Sequence, residues 1–244
     1  MATVRIGMDI GLNRIADTLK DMGVNRPVEL FPSFLLGASP LTPLEVTQIY
    51  QTLAGDGFAT PLRSIRAVNA ADGHALQSYP FTVHQAVDPA ATYITNTILQ
   101  EVMRAGTGRA AYNYMPGDMN LVGKTGTTNQ LRDSWFAGFS GDYLAVTWVG
   151  RDDNKPTGLT GGTGALHIWS ELMRQISKQP VQLVPPDNIQ MTWIDAASGW
   201  LSREGCPGAI LYPYIDGSEP STVAECGSTL TDDAESLLNQ LNPF

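Results

Sequence analysis

The chain has 244 residues, enough for one or two domains with a sizeable core. Charged residues make up 16% and hydrophobic ones 43%, with 24 Gly and 16 Pro, which excludes a disordered, coiled-coil or fibrous chain. Fifteen Lys and Arg stand against 24 Asp and Glu, a formal charge of −9, and this speaks against a nucleic-acid binder, whose affinity comes from basic side chains on phosphate.

Ile15, Leu19 and Met22 recur at i, i+4 and i+7, the spacing of an amphipathic helix, and Gly23 ends it. Thr42-Pro43-Leu44-Glu45 reads as a capping box: the Thr42 hydroxyl can accept the N3 amide, Glu45 can reach back, and Pro43 stands where no donor is missed. Val46, Ile49, Tyr50 and Leu53 then form an apolar stripe that stops at Gly55-Asp56-Gly57. Asp88-Pro89 repeats the start signal, with Ile94, Ile98 and Val102 on one apolar face and Gly106 at the end. From Leu121 the period falls from about 3.6 to 2. Residues 121–128, 134–139 and 143–149 are β-prone runs separated by short polar turns, which predicts an antiparallel meander. A last helix is traced by Ala165, Leu166, Trp169, Leu172, Met173 and Ile176. Helices, then an antiparallel sheet, then a helix able to cover it make an α+β arrangement.

From Asp187 to Phe244 nine carboxylates face a single base, Arg203, a step in composition that falls on Pro185-Pro186 and predicts a boundary between residues 1–184 and 185–244. Both cysteines, Cys206 and Cys226, lie in this acidic extension. They are either a disulfide closing a short loop-rich module, worth about 3 kcal/mol by chain entropy, or two free thiols. A zinc pair is disfavoured because the extension holds no His. Thr231-Asp232-Asp233 ahead of Ala234, Leu237, Leu238 and Leu241 suggests a short helix with an acidic first turn. No run approaches the roughly 18–20 apolar residues that span a bilayer, and the first five residues lack the apolar core of a signal peptide.

Lys124-Thr125-Gly126-Thr127-Thr128 falls on the first strand of the meander. A cation, hydroxyls and a glycine on a strand suit an extended peptide: the ammonium attracts a carboxylate, the hydroxyls hydrogen-bond it, and glycine permits close approach. Alternation puts Thr125 and Thr127 on one face and Lys124 on the other, so that Lys124 is expected in a neighbouring groove, acting through its charge. His74, His84 and His167 have neither metal-ligand spacing nor a Ser and Asp beside them, and no metal site is implied. Gly106-Thr107-Gly108-Arg109 ends a helix rather than opening one, so it reads as a C-cap turn and not a phosphate loop. Trp135 and Phe136 read as core or strand-pair residues, and Gly161-Gly162-Thr163-Gly164 as the loop into the last helix.

The Lys-Thr-Gly strand, Asp133-Ser134-Trp135-Phe136-Ala137-Gly138, Thr147-Trp148-Val149-Gly150-Arg151-Asp152 and the Thr42 helix start, in this order, resemble the D,D-transpeptidase domain of class A penicillin-binding proteins, the 1B type in particular, over residues 2–179. The resemblance implies a five-stranded antiparallel sheet against a helical lobe, with the K-T-G strand bordering the active site. It makes Lys124 the K-T-G lysine, assigns Lys124, Thr125, Gly126, Thr127 and Thr128 to the carboxylate of a stem peptide or β-lactam, and gives the Thr127 amide half of an oxyanion hole. The companion motifs are missing. The residues three before Lys20, Lys124, Lys155 and Lys178 are Asp17, Leu121, Asp152 and Gln175, so there is no S-x-x-K, and no Ser stands two before an Asn.

Family order puts both motifs upstream of the first helix, which suggests that Met1 starts inside a domain. The expected parent is a bifunctional glycosyltransferase/transpeptidase held at the periplasmic face of the bacterial inner membrane by an anchor outside this chain. It would cross-link stem peptides through a serine acyl-enzyme, bind β-lactams, need no cofactor, and work beside other cell-wall synthesis proteins. This chain alone is expected to be catalytically silent. An envelope location favours the Cys206–Cys226 bridge, since that compartment is oxidising. The rival readings are a serine β-lactamase or D,D-carboxypeptidase of the same fold, and a binding or scaffold module without chemistry.

Overall fold

The computed structural model describes residues 2–226, and the chain separates into two compact units, Met1–Val184 and Pro185–Phe244. The first unit opens with α1 (Ala2–Ile10) and α2 (Leu12–Asp21). α2 is the helix predicted from Ile15, Leu19 and Met22, with Met22 buried at its end and Gly23 left-handed at φ 103°. α1 has no such signature in sequence. Its buried residue is Gly7, where a Cβ would stand 2.5 Å from Leu35 Cδ2, so the glycine that weakens the helix also lets the 32–36 turn pack against it.

α3 (Pro43–Ala54) begins as the capping box requires: Thr42 Oγ1 accepts from the Glu45 amide at 3.2 Å, and the Glu45 carboxylate accepts from the Thr42 amide at 2.7 Å. Four short strands follow, β1 (Phe58–Ala59), β2 (Ala67–Asn69), β3 (Ala75–Ser78) and β4 (His84–Gln85), pairing antiparallel as β1 with β4 and β2 with β3. At two to four residues each they are too short to show alternation in sequence. α4 (Pro89–Arg104) starts on Asp88, whose Oδ1 accepts from the amides of Ala90 and Ala91 at 2.9 and 3.0 Å. Its buried side differs from the Ile94, Ile98 and Val102 face: Thr92, Asn96 and Met103 are buried and Ile98 is 47% exposed. A polar contact that hydropathy cannot see helps set this rotation, since Asn96 Nδ2 donates to the Leu53 carbonyl of α3 at 2.8 Å.

β5 (Val122–Thr127), β6 (Ser134–Phe139) and β7 (Leu144–Val149) form the predicted meander in the order β5-β6-β7. This sheet has three strands where the resemblance implies five. Both faces are covered. On one, α5 (Ala165–Ile176) brings Leu166, Trp169 and Met173 onto Phe136, Met103 and Leu121. On the other, Val122 and Phe139 meet Tyr50 and Leu53 of α3 and Leu99 of α4. β6 is therefore buried almost throughout rather than on alternate residues. The α5 stripe is narrower than its sequence implies: Leu172 and Ile176 turn outward, and Ser170 is buried instead. No side chain of its own caps α5. Ser134 Oγ, fully buried on β6, accepts from the Ala165 amide at 2.8 Å and donates to the Thr160 carbonyl at 2.7 Å.

The second unit holds β8 (Ile189–Asp195) and β9 (Ala209–Ile215), paired antiparallel from Ile189 with Ile215 to Asp195 with Ala209. Paired strands correct the expectation of a loop-rich module. Pro213, opposite Met191, hides the second strand from sequence reading because a proline normally argues against one. Cys206 and Cys226 form the disulfide, with Cα atoms 5.9 Å apart and a sequence separation of 20. Reducing it is expected to lower the stability of this unit by about 3 kcal/mol, visible as a lower melting temperature with reductant; superimposable melts with and without reductant would contradict this. The helix expected at 231–241 lies outside the described residues. Among the described residues no helix is long and apolar enough to cross a membrane.

Candidate active site

The K-T-G segment runs along β5, an edge of the three-stranded sheet. The Thr128 amide donates to the Asp133 carbonyl at 3.2 Å, which sets the phase of the ladder: even-numbered residues of β5 bond to β6, while Thr125 and Thr127 turn their backbone groups to the open side. Lys124 Nζ donates to the Thr125 carbonyl at 2.9 Å and keeps two further N–H bonds for a ligand.

Neighbouring loops brace the threonines. Thr125 Oγ1 lies 2.7 Å from Thr107 Oγ1, and Thr127 Oγ1 accepts from the Gly161 amide at 2.9 Å, so the Thr127 hydrogen remains free to donate. A Cβ at residue 161 would stand 2.6 Å from the carbonyl oxygens of Gly126 and Trp135, so this approach requires glycine.

A cavity of about 750 Å³ opens beside the strand, within the size range of small-ligand sites. Residues 124–128 line it, with an apolar wall from Leu41, Val46 and Ile49 and an aromatic one from Trp135 and Trp148. Partial burial pushes the Lys124 pKa below the ordinary 10.5, because the ammonium loses hydration. Burial pushes Tyr50, on the same cavity, up to about 12, so its phenol stays neutral while Lys124 titrates. A partly desolvated cation flanked by hydroxyls, beside backbone groups turned outward, can bind a carboxylate and the chain that carries it.

Residues 3–163 match the penicillin binding protein transpeptidase domain family. The chain belongs to that family. Penicillin-binding protein 1B of Escherichia coli K12 is 38% identical over 225 residues, and that of Vibrio cholerae serotype O1 is 41% identical over 219. These alignments cover 91% and 89% of this chain, so they reach into the acidic extension, but only 26% and 28% of the relatives. The crystal structure of penicillin-binding protein 1A from Haemophilus influenzae superposes with a TM-score of 0.81 at 22% identity, over 91% of this chain and 39% of that one, which shows a common fold.

In this transpeptidase-domain chain, side-chain alternation along β5 holds as expected, yet Lys124 does not occupy a separate groove. The margin of an edge strand is open to both of its faces, and one cavity is lined by all five residues 124–128. Thr107 and Gly161, read from sequence as parts of connecting turns, are brought to the site from 18 and 34 residues away. Asp133 and Trp148, quoted from sequence only as parts of the runs that carry the resemblance, join the cavity wall. Phe136 is core and Trp135 is a strand-pair residue opposite Trp148, both as expected, and the half-buried Trp135 also lines the cavity. His167 lies 2.7 Å from the Tyr114 hydroxyl, and among the described residues no cluster of three or more His, Cys, Asp or Glu could hold a metal.

Proposed function

We propose that residues 1–184 are the carboxylate-binding part of a D,D-transpeptidase that cross-links peptidoglycan stem peptides. The observation that carries this reading is Lys124 in a cavity with Thr125 and Thr127, on an edge strand of a penicillin-binding fold. A serine, supplied by polypeptide outside these 244 residues, attacks the carbonyl of the penultimate D-Ala. The terminal D-Ala leaves with a proton, and an amine of a neighbouring stem then displaces the serine oxygen from the acyl group. Lys124 and the hydroxyls of Thr125 and Thr127 hold the substrate carboxylate, Gly126 admits its backbone, and the outward Thr127 amide donates to the developing oxyanion; Thr128, expected from the resemblance to share the carboxylate, instead donates its hydroxyl hydrogen to Asp133 Oδ2 at 2.8 Å. β-Lactams occupy the same place. The setting is the periplasmic face of the inner membrane, where the Cys206–Cys226 bridge is stable, and residues 185–244 are a C-terminal extension.

The purified chain is expected to bind a D-Ala-D-Ala peptide reversibly and to take up no covalent label from a fluorescent penicillin. A labelled band surviving denaturing electrophoresis would overturn the assignment of the nucleophile to another segment.

The lysine makes binding pH-dependent in a stated direction. Affinity for the carboxylate requires the ammonium, so it is full at neutral pH and is lost as pH rises through the Lys124 pKa, which lies below 10.5 in the free protein. Lys124→Arg should move that loss to higher pH, since a guanidinium keeps its proton. Dissociation constants measured across the alkaline range test this, and a midpoint at or above 10.5 would contradict it.

A further inference from the structure

The first turns of α3 line the K-T-G cavity, and its last residue, Ala54, lines a second one of about 330 Å³, bounded also by α4, the turn after β6 and residues 179–183. Asn96 of α4 lines this second cavity and is 1% exposed. Its Nδ2 donates to the Leu53 carbonyl at 2.8 Å, and because a carbonyl takes only a donor, that bond fixes which way the amide points. The Oδ1 is left buried, with no hydrogen-bond partner among the described residues. Native structures rarely leave such an acceptor unpaired, because its hydration is lost without replacement. Donors nearby are committed elsewhere. Ser140 Oγ donates to Asp142 Oδ1 at 2.8 Å, the Gly141 amide to the Gln179 carbonyl at 2.9 Å, and the Val181 amide to the Met119 carbonyl at 2.9 Å, while Pro180 has no N–H.

We propose that this cavity is a binding site for a primary alkylammonium group, with Asn96 Oδ1 as its buried acceptor. An ammonium carries three N–H donors and no acceptor, which matches a pocket whose unpaired buried atom is an oxygen. Charge favours a cation over a neutral donor. The exposed Asp56 carboxylate lines the same cavity, Ala54 brings the negative end of the α3 dipole, and no Lys, Arg or His lines it among the described residues. The chain carries −9 in all, so a cation is drawn to it from solution. Phe139, Val181 and Leu183 give the cavity an apolar wall, which a short methylene stem can cover while its charged head stays on the oxygens. The site is separate from the carboxylate reading, since among the described residues none lines both cavities. A free amine and a lysine side chain present the same group.

The test is an NMR titration of the nitrogen-15-labelled chain with n-butylammonium chloride at constant ionic strength, with n-butanol as the neutral probe of similar shape. The Asn96 side-chain amide and the backbone amides of Phe139, Ser140 and Gly141 should shift saturably with butylammonium and stay in place with butanol. Asp56→Ala should weaken the affinity about fivefold, the most that an exposed ion pair typically contributes. Asn96→Leu, which removes the acceptor at similar volume, should abolish the response. That variant also loses the bond to Leu53, so if circular dichroism shows it unfolded, Asp56→Ala and butanol decide. N-acetyl-lysine amide binding more tightly than butylammonium assigns the site to a lysine side chain, and the reverse order assigns it to a free amine. Shifts confined to residues 185–244, no saturable shift at all, or an equal response to butanol would overturn the proposal and leave Asn96 Oδ1 to a water. An affinity that Asp56→Ala leaves unchanged would overturn it as well, because the cavity would then not be reading charge.

Discussion

Lys124→Met, which keeps most of the stem and removes the charge, is expected to weaken binding of a D-Ala-D-Ala peptide to the chain by about 10- to 100-fold. A hydrogen bond to a charged partner contributes about 1.5–3 kcal/mol, and each 1.4 kcal/mol is about a factor of ten in affinity. The native ammonium has two N–H bonds left for the ligand after the one to the Thr125 carbonyl, and the thioether has none. The fold should tolerate the change, because the lysine makes no ion pair among the described residues and its hydrogen bond there is to the backbone of its own strand. Titration calorimetry on the variant, with circular dichroism to show that it is folded, decides the matter. A change of less than threefold would mean that the carboxylate is held elsewhere.

The largest loss of stability is expected at a residue that touches no ligand. Trp169 is fully buried between α5 and the sheet, edge-on to Phe136 at a centroid distance of 4.8 Å. Its Nε1 donates to the Ala145 carbonyl at 3.0 Å, so the ring joins β7 to the helix. Trp169→Ala should cost about 3–5 kcal/mol from the lost packing and the cavity left behind, a large share of the 5–15 kcal/mol typical of a domain. Trp169→Phe should cost less, since most of the contact survives. Urea unfolding measures this as a lower midpoint, and a shift worth under about 1 kcal/mol would show that the core collapses around the gap.

These two expectations differ in how far they could be reached from sequence. Lys124 stands out in sequence because a cation, hydroxyls and a glycine share one β-prone run, and the role proposed for it is implied by the resemblance that the Asp133 and Thr147 runs complete. Trp169 was legible as core from its helical spacing, but its hydrogen bond to β7 was not. The helix starts at Thr42 and Asp88 were also legible, because caps are made within a few residues of one another.

Errors arose where the deciding contact is distant. The rotation of α4 follows Asn96 bonding to Leu53, 43 residues away, so hydropathy chose the wrong face. α1 is carried by a glycine fitted against Leu35, and β9 contains a proline, both features that propensity counts against an element.

Composition, caps and period were sufficient for the α+β class and the three-stranded order, because each is set by neighbours in the chain, whereas the part given to residues 124–128 came from the family resemblance. The convergence of Thr107, Gly161, Asp133 and Trp148 on that motif came only with folding. Each is recruited by a hydrogen bond or a close approach whose partner lies on another element, and no local pattern records such a bond. Side-chain alternation predicts which face a residue takes; it does not predict that an open strand margin joins two faces into one cavity.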